Sequence, residues 1–481
     1  MNSLTYKCKI SLPNNGANMK YRIEKDSLGE VKVPAKALWG AQTQRAVNNF
    51  PISGITMDFP FTKSFVSSLG LIKDAATKAN LRLKLISLKK SKAISRAAKE
   101  VWQEKHHHEF PIDIFQTGSG TSSNMNANEV IANLATKYAK VNINPNDDVN
   151  MSQSSNDVIP TAIKISAHMD LTKKLFPALD ELIKSIEQKA ESVKGTIKTG
   201  RTHLMDAMPI DFAEELKAWS SQLKSSKEML NILEKKFLEL PQGGTAIGSG
   251  INAHKQFAKY FAQEMTKLSG NKCKCVVSKN FYHELSAQDC SVQLSGELKN
   301  LALILMKISN DLRWMNSGPL AGLSEIELKA LQPGSSIMPG KVNPVIPEAV
   351  AMVSADVIGN DVSITVAAQS GSFQLNVMLP VIAYNLLKSI NLLSGAMNVL
   401  SKKAINSFKV NNKNLEASLS KNPILVTALN PLIGYEKAAA IAKKAYKENR
   451  PIIDIAAEET DISKAKLVKL LDPSKLAKGG L

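Results

Sequence analysis

The sequence predicts an all-α protein with a central bundle of long helices. Apolar residues recur at three- and four-residue steps from Phe212 to Leu240, and again from Leu294 to Met315. Repeats of this length are typical of long helices that pack side by side. Composition agrees, because 44% of the 481 residues are hydrophobic and only 5% are aromatic. Apolar seams this long exceed what one small bundle needs, which suggests helices shared between subunits.

The points where this periodicity begins and ends predict three domains. They are a mostly helical N-terminal domain (1–153), the central long-helix bundle (154–408) and a small helical C-terminal domain (409–481). Residues 21–50 read as a polar, loop-rich stretch, and helical patterns follow from about Phe65 to Lys105.

A proline and two polar loops indicate where individual helices begin. Pro380 should start or kink a helix, since proline removes a backbone N–H and clashes with the preceding turn. Helices are also expected to begin near Ser123 and near Pro160, directly after polar loops.

The first twenty residues contain no acidic residue, no arginine and no apolar core typical of a signal peptide. They are interpreted as a dispensable tail with Met19 as the start, or alternatively as a transit peptide. We expect no apolar run long enough to span a bilayer, and therefore a cytoplasmic protein without membrane contact.

The formal net charge of +18 raises the question of nucleic-acid binding. Of the 61 basic residues only seven are arginine, and they are scattered along the chain. Nucleic-acid binders generally use arginine for bidentate contacts and place aromatic residues nearby. We therefore expect no nucleic-acid partner, and at most a mild attraction of anionic substrates.

Metal binding is not predicted, although two short motifs invite it. Cys273 and Cys275 are too close together for the usual zinc pair, and no matching His/Cys pair follows; with Cys8 and Cys290 they are expected to be reduced thiols. His106–His108 stand at an expected helix end, where a cation is favourable for electrostatic reasons. We expect neither a metal nor a cofactor.

The stretch from Gly334 to Glu348 is the most informative part of the chain. Two glycines and three prolines in fifteen residues exclude a regular helix or a central strand. The same stretch carries two serine hydroxyls, an ammonium group, an amide and a carboxylate. Lys341 and Asn343 would stabilise an oxyanion by charge and hydrogen bonding. The alternative is a Pro/Gly connector with incidental polar residues.

Two further loops are rich in hydroxyls and amides. Phe115–Glu129 contains Gly118-Ser119-Gly120 just before an expected helix, where backbone N–H groups and hydroxyls form an anion site. It resembles phosphate-binding loops but lacks their lysine and spacing. Ser154, Ser155 and Asn156 would surround a carboxylate, or alternatively cap the next helix.

His203 follows Thr202 in a loop that begins with Gly200. A histidine in this setting is equally compatible with a role in proton transfer and with a satisfied core position.

Taken together, these loops resemble the motifs of the fumarase/aspartase superfamily, whose members cleave or form a C–N or C–O bond next to a carboxylate. The similarity runs from about Lys20 to Lys447. It rests on five motifs in the family's own order, namely Thr117–Asn128, Asn150–Asp157, Gly200–Ala207, Gln242–Asn252 and Gly334–Pro344. Ser155 and Ala428–Tyr435 are more similar to class II fumarases than to aspartases.

The resemblance implies a role for each matching residue. Ser335 would be the base that removes the C3 proton of malate, and His203 with water would be the partner acid. Glu348 would orient His203. Ser336, Lys341 and Asn343 would stabilise the aci-carboxylate dianion. Substrate contacts would come from Ser119, Gly120, Thr121, Ser154, Ser155, Asn156, Thr202 and Val342.

The sequence departs from the fumarase pattern at three places. Asn144 stands where fumarases generally have histidine in a second dicarboxylate site, formed here by Asn144, Pro145, Asn146 and Asp147; we expect this site to bind weakly or not at all. Val345–Glu348 and Leu320 also differ, and we have no physical account of Leu320.

The resemblance implies fumarate hydratase activity, a reversible and stereospecific hydration of fumarate to (S)-malate in the tricarboxylic acid cycle. It also implies a three-domain fold and a homotetramer whose active sites are shared between subunits. Two alternatives remain open at this point: an aspartate ammonia-lyase, and a non-catalytic structural member such as the lens crystallins of this superfamily.

Overall fold

The computed structural model describes residues 20–57, 60–270 and 273–479. The expectations for the N-terminal tail and for Cys8 lie outside the described residues. Within those ranges the protein is mostly α-helical, as predicted. The helices, in chain order, are α1 (Ala41–Asn49), α2 (Lys63–Arg82), α3 (Leu88–Trp102), α4 (Thr121–Ala139), α5 (Ser155–Asp170), α6 (Phe176–Ser192), α7 (Phe212–Lys236), α8 (Phe257–Leu268), α9 (Phe281–Ser286), α10 (Asp289–Met315), α11 (Val345–Gln369), α12 (Leu379–Leu400), α13 (Asn412–Ser420), α14 (Asn430–Ile433), α15 (Tyr435–Glu448), α16 (Ile452–Glu459), α17 (Lys464–Leu470) and α18 (Pro473–Leu476).

Short strands form two-stranded sheets between these helices. The strands are β1 (Tyr21–Asp26), β2 (Gly29–Pro34), β3 (Ile197–Thr202), β4 (Met205–Asp211), β5 (Glu239–Leu240), β6 (Val276–Val277), β7 (Ile326–Glu327), β8 (Gly371–Ser372), β9 (Leu375–Asn376) and β10 (Lys409–Val410). The pairs are β1–β2, β3–β4, β7–β10 and β8–β9, all antiparallel, and β5–β6, which is parallel. None of these sheets is large enough to change the fold class.

The chain divides into two compact units, each assembled from separate stretches. Of the described residues, the first unit contains those within 20–166, 238–288 and 369–384, and the second those within 167–237, 289–368 and 385–479. In the first unit α2 packs against α3 and α8, and α3 packs against α4. The boundaries of the three expected domains, 1–153, 154–408 and 409–481, stay a prediction.

Long helices dominate the second unit. Helix α7 packs against α6 and α10 and buries Phe212, Leu216 and Trp219. Its ends are well formed, because the Asp211 side chain accepts a hydrogen bond from Ala213 N–H, with glutamates in the first turn and lysines in the last. Both features complement the helix dipole. The last part of this unit has an apolar cluster of its own, running from Leu425 to Leu471.

The sequence-based expectation was wrong at three places along the backbone. Residues 21–34 form the β1–β2 hairpin rather than a loop, held by Arg22, which donates to the carbonyl oxygens of Pro34 and Trp39. Helix α5 begins at Ser155 instead of near Pro160, because Asp157 Oδ1 accepts from Ser154 N–H in the manner of a capping box. Helix α7 stops at Lys236 although apolar residues continue to Leu240, where the backbone becomes strand β5.

Two other expectations have different outcomes. Pro380 lies in the first turn of α12, as predicted. The expectation that no apolar run is long enough to span a bilayer is wrong. Helix α11 is long and apolar enough to do so by length and composition alone, with a mean hydropathy of 1.3. Core helices of helical bundles meet the same two criteria. Asp361 on α11 accepts hydrogen bonds from Ser295 and Lys299 of α10, as expected for a bundle helix.

Candidate active site

The loop between Gly334 and Asn343 is closed by its own hydrogen bonds. Gly334 N–H donates to the carbonyl oxygen of Lys341 at 2.8 Å, and the Asn343 side chain donates to the carbonyl oxygen of Gly334 at 2.7 Å. A Cβ atom at position 334 would lie 2.4 Å from the Lys341 oxygen, so this closure requires glycine. The loop ends where α11 begins, which brings Glu348 into the first turn of that helix.

Ser335 is the half-buried residue at the start of this loop. Its Oγ accepts hydrogen bonds from the backbone N–H groups of Ile337 at 3.2 Å and Met338 at 3.0 Å. Two N–H donors on one oxygen favour a developing negative charge there, which is what a serine needs to act as a base. Ser336 and Lys341 are exposed beside it.

A cleft of about 960 Å³ opens next to the loop within the second unit. Four predicted site residues line it, namely Lys341, Val342, Asn343 and Glu348. Arg313, Lys409 and Asn411 line it too, and no sequence motif singles them out. Three cations and four asparagines in this lining offer favourable contacts to a small dianion, beside Glu327, Glu348 and several apolar residues that line the cleft as well.

His203 lies at the tip of the β3–β4 hairpin. Thr202 pairs with Met205, and the two residues between them, His203 and Leu204, both have positive φ values of 56° and 62°. This is the geometry of a tight two-residue hairpin turn, which normally favours asparagine or glycine. The turn makes the His203 side chain exposed, so the interpretation as a core histidine is wrong for the single chain.

Buried charges hold the base of this hairpin. Glu325 forms ion pairs with Arg201 and with Lys198, each at 2.6 Å, and Lys198 also pairs with Glu215 at 2.8 Å. Among the described residues of one chain, no hydrogen bond or ion pair joins His203 to Ser335 or Glu348. The expected orientation of His203 by Glu348 therefore stays a prediction.

In the first unit, Ser119, Gly120 and Thr121 meet at the start of α4. Gly120 has a φ of 71°, and Ser119 Oγ lies 2.6 Å from Thr121 Oγ1. The adjacent Gly118 is in close contact with residue Val377, whose carbonyl oxygen would lie 1.7 Å from a Cβ at position 118. The glycines therefore allow two backbones to approach while the hydroxyls gather at a helix N-terminus.

Ser154, Ser155 and Asn156 form the start of α5. The structure bears on the capping interpretation of this loop, and the carboxylate site stays a prediction. Ser154 Oγ accepts from Asn156 N–H at 3.2 Å, which is a capping bond. Asn156 donates its side-chain amide to the carbonyl oxygen of Ala246 at 2.8 Å. Ser155 Oγ accepts from the Asn124 side chain at 2.9 Å. Only Ser154 thus caps the helix through its side chain in this trio.

Asp157 joins this loop to the glycine-rich stretch Gln242–Asn252. Its Oδ2 accepts from the N–H groups of Gly243 at 3.0 Å and Thr245 at 2.9 Å. Burial raises the pKa of Asp157, although its three backbone hydrogen bonds act in the opposite direction. The glycine-rich motif therefore has a structural task in supporting the Ser154–Asn156 loop.

Lys73 on α2 lies beneath the same loop, and sequence reasoning missed it. It is fully buried, and its Nζ donates to side-chain amide oxygens of Asn124 at 2.8 Å, Asn150 at 2.9 Å and Gln153 at 3.0 Å. Burial lowers the pKa of Lys73 to about 7, with the charge of Asp157 acting to raise it. A single lysine within a helical pattern carries no signal of such a role.

Asn144 precedes the short π-helical turn Pro145–Val149. Its Oδ1 accepts from Asn146 N–H at 2.8 Å and Asp147 N–H at 3.0 Å, so it caps that turn. Because the Asn144 side chain occupies these two N–H groups, they are not free to bind a carboxylate. This geometry supports weak or absent binding at the second site, which stays a prediction.

Comparison with known proteins assigns the chain to a family. A family model described as Lyase matches residues 29–359, and one described as Fumarase C C-terminus matches residues 425–478. The class of protein is therefore the lyase superfamily that the loops resemble.

The names of individual relatives indicate which family of this superfamily the chain resembles. The chain is 56% identical to "Fumarate hydratase class II 2" of Pseudomonas aeruginosa over 96% of this chain and 99% of that one. It is 44% identical to "Fumarate hydratase class II" of Bacillus subtilis, again over 96% and 99%. The crystal structure of class II fumarase from Schistosoma mansoni superposes with a TM-score of 0.92 at 36% identity, covering 95% of this chain and 99% of that one. The chain belongs to the class II fumarase family.

Proposed function

We propose that this protein is a fumarate hydratase that interconverts fumarate and (S)-malate, as a step of the tricarboxylic acid cycle. The observation that carries the proposal is the environment of Ser335, whose Oγ accepts two backbone N–H groups in the loop that also bears Lys341 and Asn343. The names of the most similar relatives support the same activity.

The chemistry fits these groups. In the malate-to-fumarate direction, Ser335 acts as its alkoxide, takes the C3 proton and becomes a neutral hydroxyl, and the electron pair left behind spreads onto the neighbouring carboxylate as an aci-carboxylate dianion. A proton beside a carboxylate is barely acidic, so this dianion must be stabilised by positive charge and hydrogen bonds. Lys341, Asn343 and Ser336 would supply them.

The second half of the reaction expels the C2 hydroxyl. His203, acting with water, would protonate the leaving hydroxide so that one water is released for each fumarate formed. Thr202 would bind substrate beside it, and Glu348 would orient the imidazole. Oxygens of the substrate carboxylates would be held by Ser119, Gly120, Thr121, Ser154, Ser155, Asn156 and Val342.

A direct assay tests this proposal. Purified protein should consume fumarate, seen as falling ultraviolet absorbance, without added ammonium and with the same rate after dialysis against EDTA. It should release no ammonia from aspartate. Ammonia release without hydration would assign the chain to the aspartases, and inactivity in both assays would assign it to the structural members.

We also propose a homotetramer whose active sites combine residues from different subunits. Large apolar side chains are exposed on three long helices of the second unit: Met229 on α7, Leu303 on α10, and Met352 and Val362 on α11. Faces of this kind are expected to pack against copies of the same helices. At ~1.5 Å per residue, the 25 residues of α7 span about 37 Å, and His203 lies just before its start.

Mixed tetramers test the shared site. Ser335→Ala and His203→Asn should each be nearly inactive, yet activity should partly return when the two are unfolded together and reassembled, if the two residues come from different chains. A fully active monomer by light scattering would contradict the shared site. A cytoplasmic location is proposed as well, and cell fractionation would check it.

A further inference from the structure

Lys73 is a buried cation that no step of the proposed reaction uses. It is fully buried, and its three hydrogen-bond partners are neutral amide oxygens from α4 and from the loop before α5. No ion pair to it is found among the residues that the structure describes. An ammonium group has three protons and no lone pair, so three acceptors saturate it.

This cation determines how the surrounding amides are oriented. An amide side chain has an oxygen that accepts and an NH₂ group that donates, and a donor-only neighbour selects the oxygen. Asn150 therefore directs its NH₂ group to the carbonyl oxygen of Gln153 at 3.2 Å, and Gln153 donates to Val149 and Met151 at 3.0 and 3.1 Å. The loop from 149 to 153 is thereby closed around Lys73.

The side-chain amide of Asn124 is oriented by Lys73 in the same way, and it links Lys73 to the candidate site. Because its oxygen faces Lys73, its NH₂ group faces Ser155 and donates to Oγ at 2.9 Å. Ser155 Oγ is then an acceptor on that side, and its own proton must be donated elsewhere. In the described part of the chain, no acceptor for that proton is found, and Ser155 is half-buried rather than sealed off.

We propose that Lys73 is a positioning residue that acts through Asn124 to make the Ser155 hydroxyl a hydrogen-bond donor to a substrate carboxylate. The sequence of donors runs from ammonium to amide, from amide to hydroxyl, and from hydroxyl to carboxylate. The inference rests on the proposed function, since it takes Ser155 as a group that contacts a dicarboxylate. It adds the reason why Ser155 donates rather than accepts.

The sharpest variant is Asn124→Asp, which keeps the shape of the side chain and leaves Lys73 next to an acceptor. A carboxylate has no N–H to donate, so Ser155 would turn its proton to Asp at 124 instead of the substrate. We expect KM for malate to rise at least tenfold, with kcat changed less than about threefold. Lys73→Met should give the same pattern, with a lower melting temperature because the amides lose their donor.

A double-mutant cycle distinguishes the proposed route from general damage. If Lys73 acts through Ser155, then Lys73→Met should add less than about twofold to KM in a Ser155→Ala background. A purely structural role for Lys73 would instead raise KM by the same factor in both backgrounds, or lower the melting temperature alone. Either of those results would overturn the proposal, as would an unchanged KM in Asn124→Asp.

Lys164→Met is the matched control. Lys164 is a buried lysine of the same unit that pairs with Glu284 and the Glu239 carbonyl oxygen. The Lys164→Met variant should have a lower melting temperature and an unchanged KM for malate. The dissociation constant of succinate, measured by calorimetry on every variant, reports carboxylate binding without turnover. A wild type that binds succinate but does not hydrate fumarate would refute the proposed function, while the same variants still test the role of Lys73.

Discussion

In the first unit, the polar groups around Ser155 are held by side chains from several elements, whereas the Gly334–Asn343 loop of the second unit is held by hydrogen bonds within itself. Lys73, Asn124 and Asp157 are buried beneath the former. The latter is largely exposed and closes through Gly334, Lys341 and Asn343. The first arrangement keeps donors in fixed directions, as binding requires. The second leaves the group that must react on a segment with few external ties.

The strongest way to sharpen this contrast is Ser335→Ala. We expect kcat to fall by at least ~10²-fold, the usual loss when a general base is removed. The melting temperature should not change, since the freed N–H groups of Ile337 and Met338 are exposed to water. Ser363→Ala, an exposed serine on α11, is the control and should have wild-type kinetics. Near-normal turnover in Ser335→Ala would remove this residue from the mechanism.

A smaller effect is expected from Gly334→Ala. The new Cβ would lie 2.4 Å from the Lys341 carbonyl oxygen and would force the two ends of the loop apart. Displacing reactive groups by about 1 Å lowers turnover by up to ~10²-fold, and we expect a loss near tenfold in kcat with no change in stability. Steady-state kinetics and thermal melting check both parts. A large drop in stability would show that the loop is tied to the rest of the unit.

Gly118→Ala should do the reverse in the first unit. Its Cβ would collide with the Val377 carbonyl oxygen, which belongs to the backbone and has little room to move. Overpacking of this kind costs about 1–3 kcal/mol in free energy of unfolding. Denaturant unfolding of this variant beside Gly395→Ala, whose Cβ would meet open space on helix α12, provides the comparison. Equal stability of wild type and Gly118→Ala would contradict the tight contact.

The smallest expected effect concerns pH. Burial lowers the pKa of Lys73 to about 7 in the folded protein, whereas an unfolded lysine titrates at about 10.4. Between these values the unfolded chain binds more protons, so the free energy of unfolding should rise with pH above about 7. From pH 7 to pH 8 the gain relative to Lys73→Met is at most ~1.4 kcal/mol. Parallel stability profiles for the two proteins would show that Lys73 does not titrate in this range.

The contrast also explains what the sequence could predict. Ser335, Lys341 and Asn343 lie within a few residues of one another, so their spacing alone predicts that they share one loop, and the reactivity of that loop stays a prediction. The long helices were equally visible, since α7 and α10 repeat their apolar residues along the chain. Pro380 was placed correctly because proline at a helix start has a fixed backbone preference.

Groups that depend on contacts between distant segments could not be predicted. Lys73 meets Asn124 and Gln153 across separations of 51 and 80 residues, and nothing local distinguishes it from other lysines. The hairpin turn at His203 was missed because its residues are unusual for positive φ. Arg313 joins the cleft only after α10 has packed.

The three protons of Lys73 are all hydrogen-bonded, and this restricts which substitutions the surrounding positions can accept during evolution. Replacing the lysine alone leaves three amide oxygens without a donor. Replacing any one amide by an apolar residue leaves a proton of a buried cation without an acceptor. Each single substitution therefore lowers the stability of the folded protein. Positions 73, 124, 150 and 153 should therefore be inherited as a block, and relatives that lack one member should lack the others. An alignment of related sequences should therefore show these four residues lost together, even in relatives that act on a different substrate.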